Sequence, residues 1–156
     1  KVESEDAVLD GCDHALVVRT ALIYGRPALG GQSFSTWIEG RLQNHQTVPL
    51  YPDQDGSPIW VETLADLLIE LIDRPVYGIL HVGSSNRIDR HTFGQQLCRA
   101  GGYDSSLLQA VSMYARPVTA PRPQDVSLNT DLAASLLSTP LPDTQTALDQ
   151  MMASSL

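Results

Sequence analysis

Cysteine is scarce in this chain, and its two cysteines lie far apart. Cys12 and Cys98 show no Cys-x-x-Cys spacing and belong to no His/Cys cluster, which argues against a zinc site. Two reduced thiols in a cytoplasmic protein are the simpler reading. Long apolar runs are missing too. None approaches the roughly 18 residues of a membrane-spanning helix, and the stretch after Lys1 lacks the apolar segment of a signal peptide. Positive charge is in deficit: 10 Lys and Arg face 18 Asp and Glu, for a net charge of −8. Such a chain gains nothing from the phosphate electrostatics that dominate nucleic-acid binding, and anionic membranes would repel it. A phosphorylated ligand would need one or two placed arginines acting against the overall field. Internal repeats, low-complexity linkers, a carboxylate pair set for catalysis and a Ser/His/Asp triad are also lacking.

What is present reads as one globular domain. The 156 residues are 42% hydrophobic and 18% charged, enough to bury a core. Residues 1–11 have a weak apolar face and a stop at Gly11, which predicts a helix. Residues 15–24 are apolar at nearly every position except Arg19 and Thr20 and read as a central parallel strand buried on both sides. Gly25-Arg26-Pro27 ends it. Phe34, Trp37, Ile38, Arg41 and Leu42 recur at helical spacing, so a helix is expected over about 33–44. Val48–Tyr51 is a short strand, Pro52–Gly56 a turn and Ser57–Val61 extended. Thr63 and Asp66 form a capping-box pattern that would open a helix with an apolar stripe ending at Asp73-Arg74-Pro75.

Gly78–Gly83 is a second buried strand. Asp89 caps a helix carrying Phe93, Leu97 and Ala100, closed by Gly101-Gly102. Residues 103–128, with Pro117, Pro121 and Pro123, look irregular or extended, and such a stretch in a compact domain is more often functional than idle. Asn129 is expected to cap a short helix, and Asp143 or Thr144 the last one. Strands alternating with helices give an α/β class. Two or three parallel strands make a poor sheet, so the strands at 15–24 and 78–82 expect neighbours that this chain does not supply.

Four motifs stand in a set order. Lys1-x-x-x-Glu5 precedes Arg19-Thr20-Ala21-Leu22-Ile23-Tyr24-Gly25. Ser57-Pro58-Ile59-Trp60-Val61-Glu62-Thr63-Leu64-Ala65 follows, and Arg122-Pro123-Gln124-Asp125-Val126-Ser127-Leu128 comes last. Together they resemble the second half of the extended short-chain dehydrogenase/reductases, closest to the dTDP-4-dehydrorhamnose reductase branch. The resemblance implies the carboxyl-terminal part of a Rossmann-type parallel sheet with a small α/β substrate-binding lobe. Residues 1–25 and 77–83 would end the nucleotide-binding lobe, and residues 26–76 and 84–156 would form the substrate lobe. The family's glycine-rich loop and catalytic tyrosine would lie before residue 1, so this chain alone is expected to be inactive.

By this resemblance Lys1 is the lysine of a Tyr-x-x-x-Lys pair. In that pair the cation lowers the phenol pKa and the lysine also binds the cofactor ribose. A solvated lysine with no role is the plain alternative. Backbone groups at Ala21 and Leu22 would lie near the nicotinamide of NADP or NAD, because ligands of open parallel sheets sit at the carboxyl ends of strands. Ala21-Leu22 replaces the Ser-Trp usual in the branch, which changes the sugar pocket that Leu22 and Tyr24 would line. Tyr24 also reads as ordinary strand-end packing. The Arg122 guanidinium would fork onto the diphosphate of a sugar nucleotide, with Asp125 orienting it or meeting a ribose hydroxyl. The alternative is a surface Arg122–Asp125 pair. Arg26 and Arg116 are weaker candidates, Trp60 reads as a core anchor, and His81 as a core histidine satisfied by backbone.

The implied function is reduction of a 4-keto deoxy sugar carried on a nucleoside diphosphate. Implied partners are that sugar nucleotide, the amino-terminal half of the same fold and, as an open option, a second copy of the chain. Two other classes remain. One is a regulatory relative like the methionine adenosyltransferase beta subunit. The other is a nucleotide-sugar epimerase or dehydratase.

Overall fold

The computed structural model describes residues 1–115, 120 and 122–154. Helix α1 (Val2–Gly11) leads into strand β1 (Leu16–Thr20), then β2 (Ile23–Tyr24), α2 (Phe34–Gln43), β3 (Val48–Leu50), β4 (Asp55–Gly56) and β5 (Ile59–Trp60). Helix α3 (Val61–Ile72), β6 (Gly78–Val82), β7 (Ile88–Asp89) and α4 (Arg90–Gly101) follow. A 3-10 turn at Ser105–Leu107, β8 (Leu108–Ala110), α5 (Asp131–Leu136) and α6 (Thr144–Ala153) complete the order. Among the described residues no helix is long and apolar enough to cross a membrane.

The two strands expected as parallel neighbours do pair. β1 lies parallel to β6 in a register from Leu16 opposite Gly78 to Thr20 opposite Val82. The single strand expected over 15–24 is broken, however. At Ala21–Leu22 the chain leaves β6, and β2 pairs instead with β5, parallel, with Tyr24 opposite Trp60. The Ile59 amide donates to the Leu22 carbonyl at 2.8 Å and sets the new pairing. Burial also differs from expectation. β1 is half-buried with Thr20 exposed, and Ile79 on β6 is exposed. Among the described residues this sheet has two strands only.

Local caps explain most helix ends. The Ser33 hydroxyl accepts from the Thr36 amide, and the Thr36 hydroxyl accepts from the Ser33 amide, so α2 opens on a full capping box. Asp89 takes the Thr92 amide at 2.8 Å and its hydroxyl at 2.5 Å, which starts α4. That helix stops at Gly102, whose φ of 68° suits glycine, with its amide donating to the Cys98 carbonyl. Asp143 caps α6 through the Thr146 amide.

The expected cap at Thr63 is corrected. α3 begins at Val61, with Trp60 in the cap position and no side-chain cap, and Thr63 is buried inside the first turn. Packing of Leu64, Leu67 and Leu71 sets this helix more than cap chemistry does. Asn129 acts one place before the position expected. Its side chain accepts from the Asp131 amide at 2.9 Å, while Thr130 takes the cap position. The stretch read as irregular contains a strand, since β8 runs parallel to β3. Arg116, Pro117 and Pro121 lie outside the described residues.

Two apolar clusters result. One gathers Tyr24, Ile38, Leu42, Val48, Leu50, Phe93, Leu97, Leu148 and Met151 from α2, β3, α4 and α6. The other joins Leu64, Leu67 and Leu71 of α3 to Leu80 and Val82 of β6, with Ala133 and Leu137. The boundary expected at residue 76 assigned α3 to the substrate lobe, yet its side chains share a cluster with β6. Both clusters meet the segment where β1 gives way to β2, and the recess described next opens there.

Candidate functional site

A short connection orders the first elements. Only residues 12–15 separate α1 from β1, and α1 packs on β1. The helix, about 15 Å long, therefore runs back beside a strand of about 17 Å, and its first turn lies at the carboxyl end of β1. An ion pair fixes this arrangement. Arg19 Nε donates to both Glu5 oxygens at 3.1 and 3.2 Å, and Nη2 to Oε2 at 2.5 Å. The hydrogen bond from Arg19 holds the Glu5 carboxyl below its usual pKa. Lys1 caps this turn, exposed, with its carbonyl accepting from the amides of Ser4 and Glu5. His81 lies beside the same ion pair, its Nε2 3.5 Å from Arg19 Nη1.

Just past the strand end the chain opens a narrow recess. Ala21, Leu22, Gly56, Pro58, Arg90 and Phe93 line it, and Val126 closes one side. Leu22 lines the recess, and its carbonyl accepts from the Ile59 amide.

Val126 arrives on the arm that carries Arg122. The arm lies on β4: the Asp55 amide donates to the Gln124 carbonyl at 2.7 Å, and the Val126 amide to the Asp55 carbonyl at 3.1 Å. β4 is in turn paired antiparallel with β7, and Arg87, just before β7, reaches Asp55 at 2.5 Å and Asp125 at 3.1 Å. The alternative reading, a surface Arg122–Asp125 pair, does not form among the described residues. Asp125 meets Arg87 and accepts from the Ser127 amide at 2.9 Å, contacts that lower its pKa, the Ser127 bonds most. Arg122 is exposed on the arm and has no ion pair among the described residues.

Tyr24 packs at the strand end. It is 1% exposed and meets Phe93 edge-on at 5.0 Å, inside the first apolar cluster. Its hydroxyl is buried without a hydrogen-bond partner among the described residues, and burial pushes its pKa well up. Arg26 is occupied by the buried Glu39 at 3.1 Å. Trp60 packs against the first cluster, as a core anchor would.

Two arginines that no motif marks belong to this region. Arg87 ties the arm down. Arg90 lines the recess, its guanidinium 5.0 Å from the centre of the Phe34 ring. Partial burial lowers its pKa. The sequence did hold one signal for Arg90. A cation in the first turn of a helix opposes the helix dipole by about 0.3–1 kcal/mol, so its presence after the Asp89 cap called for a reason.

The whole chain, residues 1–156, matches the family described as RmlD substrate binding domain. It is 34% identical over 128 residues to a probable low-salt glycan biosynthesis reductase of Haloferax volcanii, covering 78% of this chain and 42% of that protein. It is 31% identical over 154 residues to the dTDP-4-dehydrorhamnose reductase of Mycobacterium tuberculosis, covering 98% of this chain and 50% of that one. The fold matches a crystal structure of dTDP-4-dehydrorhamnose reductase from Bacillus anthracis in complex with NADP, with a TM-score of 0.79 at 20% identity. That match covers 89% of this chain and 48% of the other. The chain thus spans about half the length of the curated relatives it matches. The match to that family model over residues 1–156 places the chain in the RmlD substrate-binding domain family.

Proposed function

We propose that this chain forms the substrate side of an NAD(P)H-dependent reductase acting on a 4-keto deoxy sugar carried by a nucleoside diphosphate, of the dTDP-4-dehydrorhamnose type. One observation carries the reading. The arm bearing Arg122-Pro123-Gln124-Asp125 folds back so that Val126 borders the same recess as Ala21 and Leu22, at the carboxyl end of β1. Ligands of open parallel sheets bind at that end. The reductase names of relatives at 31% and 34% identity favour this chemistry over epimerisation or dehydration.

In this reading the sugar lies over Leu22, and Arg122 takes the diphosphate with the fork of its guanidinium. Asp125 holds the arm through Arg87 instead of orienting Arg122 directly. The residues present fit one edge of a dinucleotide site: the Lys1 ammonium at the first turn of α1 and the open backbone at Ala21–Leu22. A bound NAD(P)H would supply the hydride. Lys1 would hold a cofactor hydroxyl and lower the pKa of a tyrosine in the amino-terminal half of the fold, the group that would protonate the sugar oxygen.

The test uses the intact protein with a dTDP-4-keto-6-deoxy sugar. Loss of NADPH absorbance with formation of the reduced sugar is expected, and chain 1–156 alone should show none. Arg122→Ala should raise KM about 10–150-fold, the range for a hydrogen bond to a charged group. Redox-neutral conversion, or tight binding of a protein partner without turnover, would overturn the proposal.

A further inference from the structure

Arg90 is a partly desolvated cation without a counter-charge. Among the described residues its guanidinium forms no ion pair, and its one close contact is the face of Phe34. The carboxylate beside it in sequence, Asp89, is committed to Thr92 through both oxygens. Residues 116–119, 121, 155 and 156 carry no acidic side chain that could serve instead. In a chain with a net charge of −8, this arginine nonetheless has no ion pair among the described residues. A guanidinium held away from water without a carboxylate is costly unless something else meets its donors.

Placement shows what would meet them. Arg90 is the first residue of α4, at the positive end of a 12-residue helix, so the local field adds to its own charge. The helix-end amides are already engaged: Arg90 donates to the Gln54 carbonyl, His91 to the Tyr51 carbonyl and Thr92 to Asp89. The side chain is what remains to bind a ligand. It borders the recess together with Leu22, Gly56 and Val126, and Arg122 stands four residues before Val126 on the arm. Gly56 adds no side chain to the recess.

We infer that Arg90 is a second anion-binding arginine of this site, which contacts the diphosphate of the sugar nucleotide together with Arg122. The assignment rests on the reductase reading for the identity of the anion. Phe34 stacking fixes the guanidinium plane, which suits a forked contact with phosphoryl oxygens better than a lysine's point charge would.

Binding separates the two ideas. The intact protein and its variants Arg90→Met, Arg90→Lys and Arg122→Ala are titrated with dTDP, thymidine and NADP by calorimetry, with thermal melts as a folding control. Arg90→Met keeps an unbranched apolar stem over Phe34. It should weaken dTDP binding about tenfold or more and leave thymidine and NADP unchanged. Arg90→Lys should keep part of the affinity. Wild-type dTDP affinity in Arg90→Met, beside a loss in Arg122→Ala, overturns the inference and leaves the reductase reading standing. If Arg90→Met weakens NADP and not dTDP, the assignment to the sugar nucleotide is overturned. If the intact wild-type protein does not bind dTDP, both fail.

Discussion

The Glu5 carboxylate and the Arg19 guanidinium are joined by three contacts of 2.5 to 3.2 Å across 14 residues of sequence. This ion pair ties the first turns of α1 to the end of β1. The helix has little else to hold it, since none of its residues is buried. Glu5→Gln should therefore loosen α1 selectively. Amide exchange across Val2–Gly11 is expected to accelerate, while α3 and β6 keep their protection. The folded-state pKa of Glu5 is depressed, so the tether is complete above the ordinary value of 4.5 and is lost as pH falls through the lowered one. Uniform exchange in wild type and variant would show that α1 is held by something other than this pair.

Glu70 makes a larger acid-side contribution. Its oxygens accept from the Ser138 amide at 2.7 Å and the Thr139 amide at 2.8 Å, and Arg74 pairs with it one turn on. The Ser138 and Thr139 bonds lead in lowering its pKa to about 2. Its stabilisation is fully present above 4.5 and disappears between there and about 2. The melting temperature of wild type should fall across that window. Glu70→Gln should melt lower than wild type at neutral pH and show a flatter acid limb. Parallel limbs would refute the linkage.

Gly83 follows β6 and lies against Ser57, two residues before β5. A methyl group there would lie 2.8 Å from the Ser57 carbonyl oxygen and 3.0 Å from its Cβ. Ser57 is buried, and its hydroxyl accepts from the Leu128 amide at 3.2 Å, so it has little room to shift. Gly83→Ala should destabilise the chain by about 1–3 kcal/mol, as overpacking does, which chemical denaturation can measure. Gly94→Ala is the useful contrast. Its nearest obstacle is the Leu50 Cδ1 atom, the movable end of a side chain.

Features set by neighbours in sequence were legible, and features set by distant pairing were not. Asp89 and Gly102 bound α4 as expected, because both act within one turn of the helix end. The run from Leu16 to Tyr24 is apolar except at Arg19 and Thr20 and resumes at Ala21–Leu22, so nothing at those two residues marks the break. That break depends on Ile59, which is remote in sequence. Thr63 and Asp66 carry a good cap pattern that burial overrode. β8 has only Leu108-Gln109-Ala110, too short for a period, and exists because β3 lies beside it. At the site the motif order named Leu22 and the arm, and Leu22 and Val126 line one recess. Motif order could not reveal that Arg87, and not Arg122, holds Asp125, since that pairing spans separate elements.

Tyr24 offers a direct separation of packing from binding. Its hydroxyl is buried without a partner among the described residues, and such a group costs about 1–3 kcal/mol relative to a satisfied one. Burial raises its pKa, and the nearby Asp143 charge adds to the shift, so the phenol stays neutral throughout the working range. A neutral phenol enclosed against Phe93 cannot reach a sugar in the recess, although Phe93 itself borders that recess. Tyr24→Phe removes the unpaired oxygen and keeps the ring. Stability in urea should be unchanged or rise by up to about 1 kcal/mol, and KM for the sugar nucleotide in the intact protein should not move. A loss of stability would mean that the hydroxyl has a buried partner. A raised KM with unaltered stability would return Tyr24 to the substrate pocket and require the strand end to open when the sugar binds.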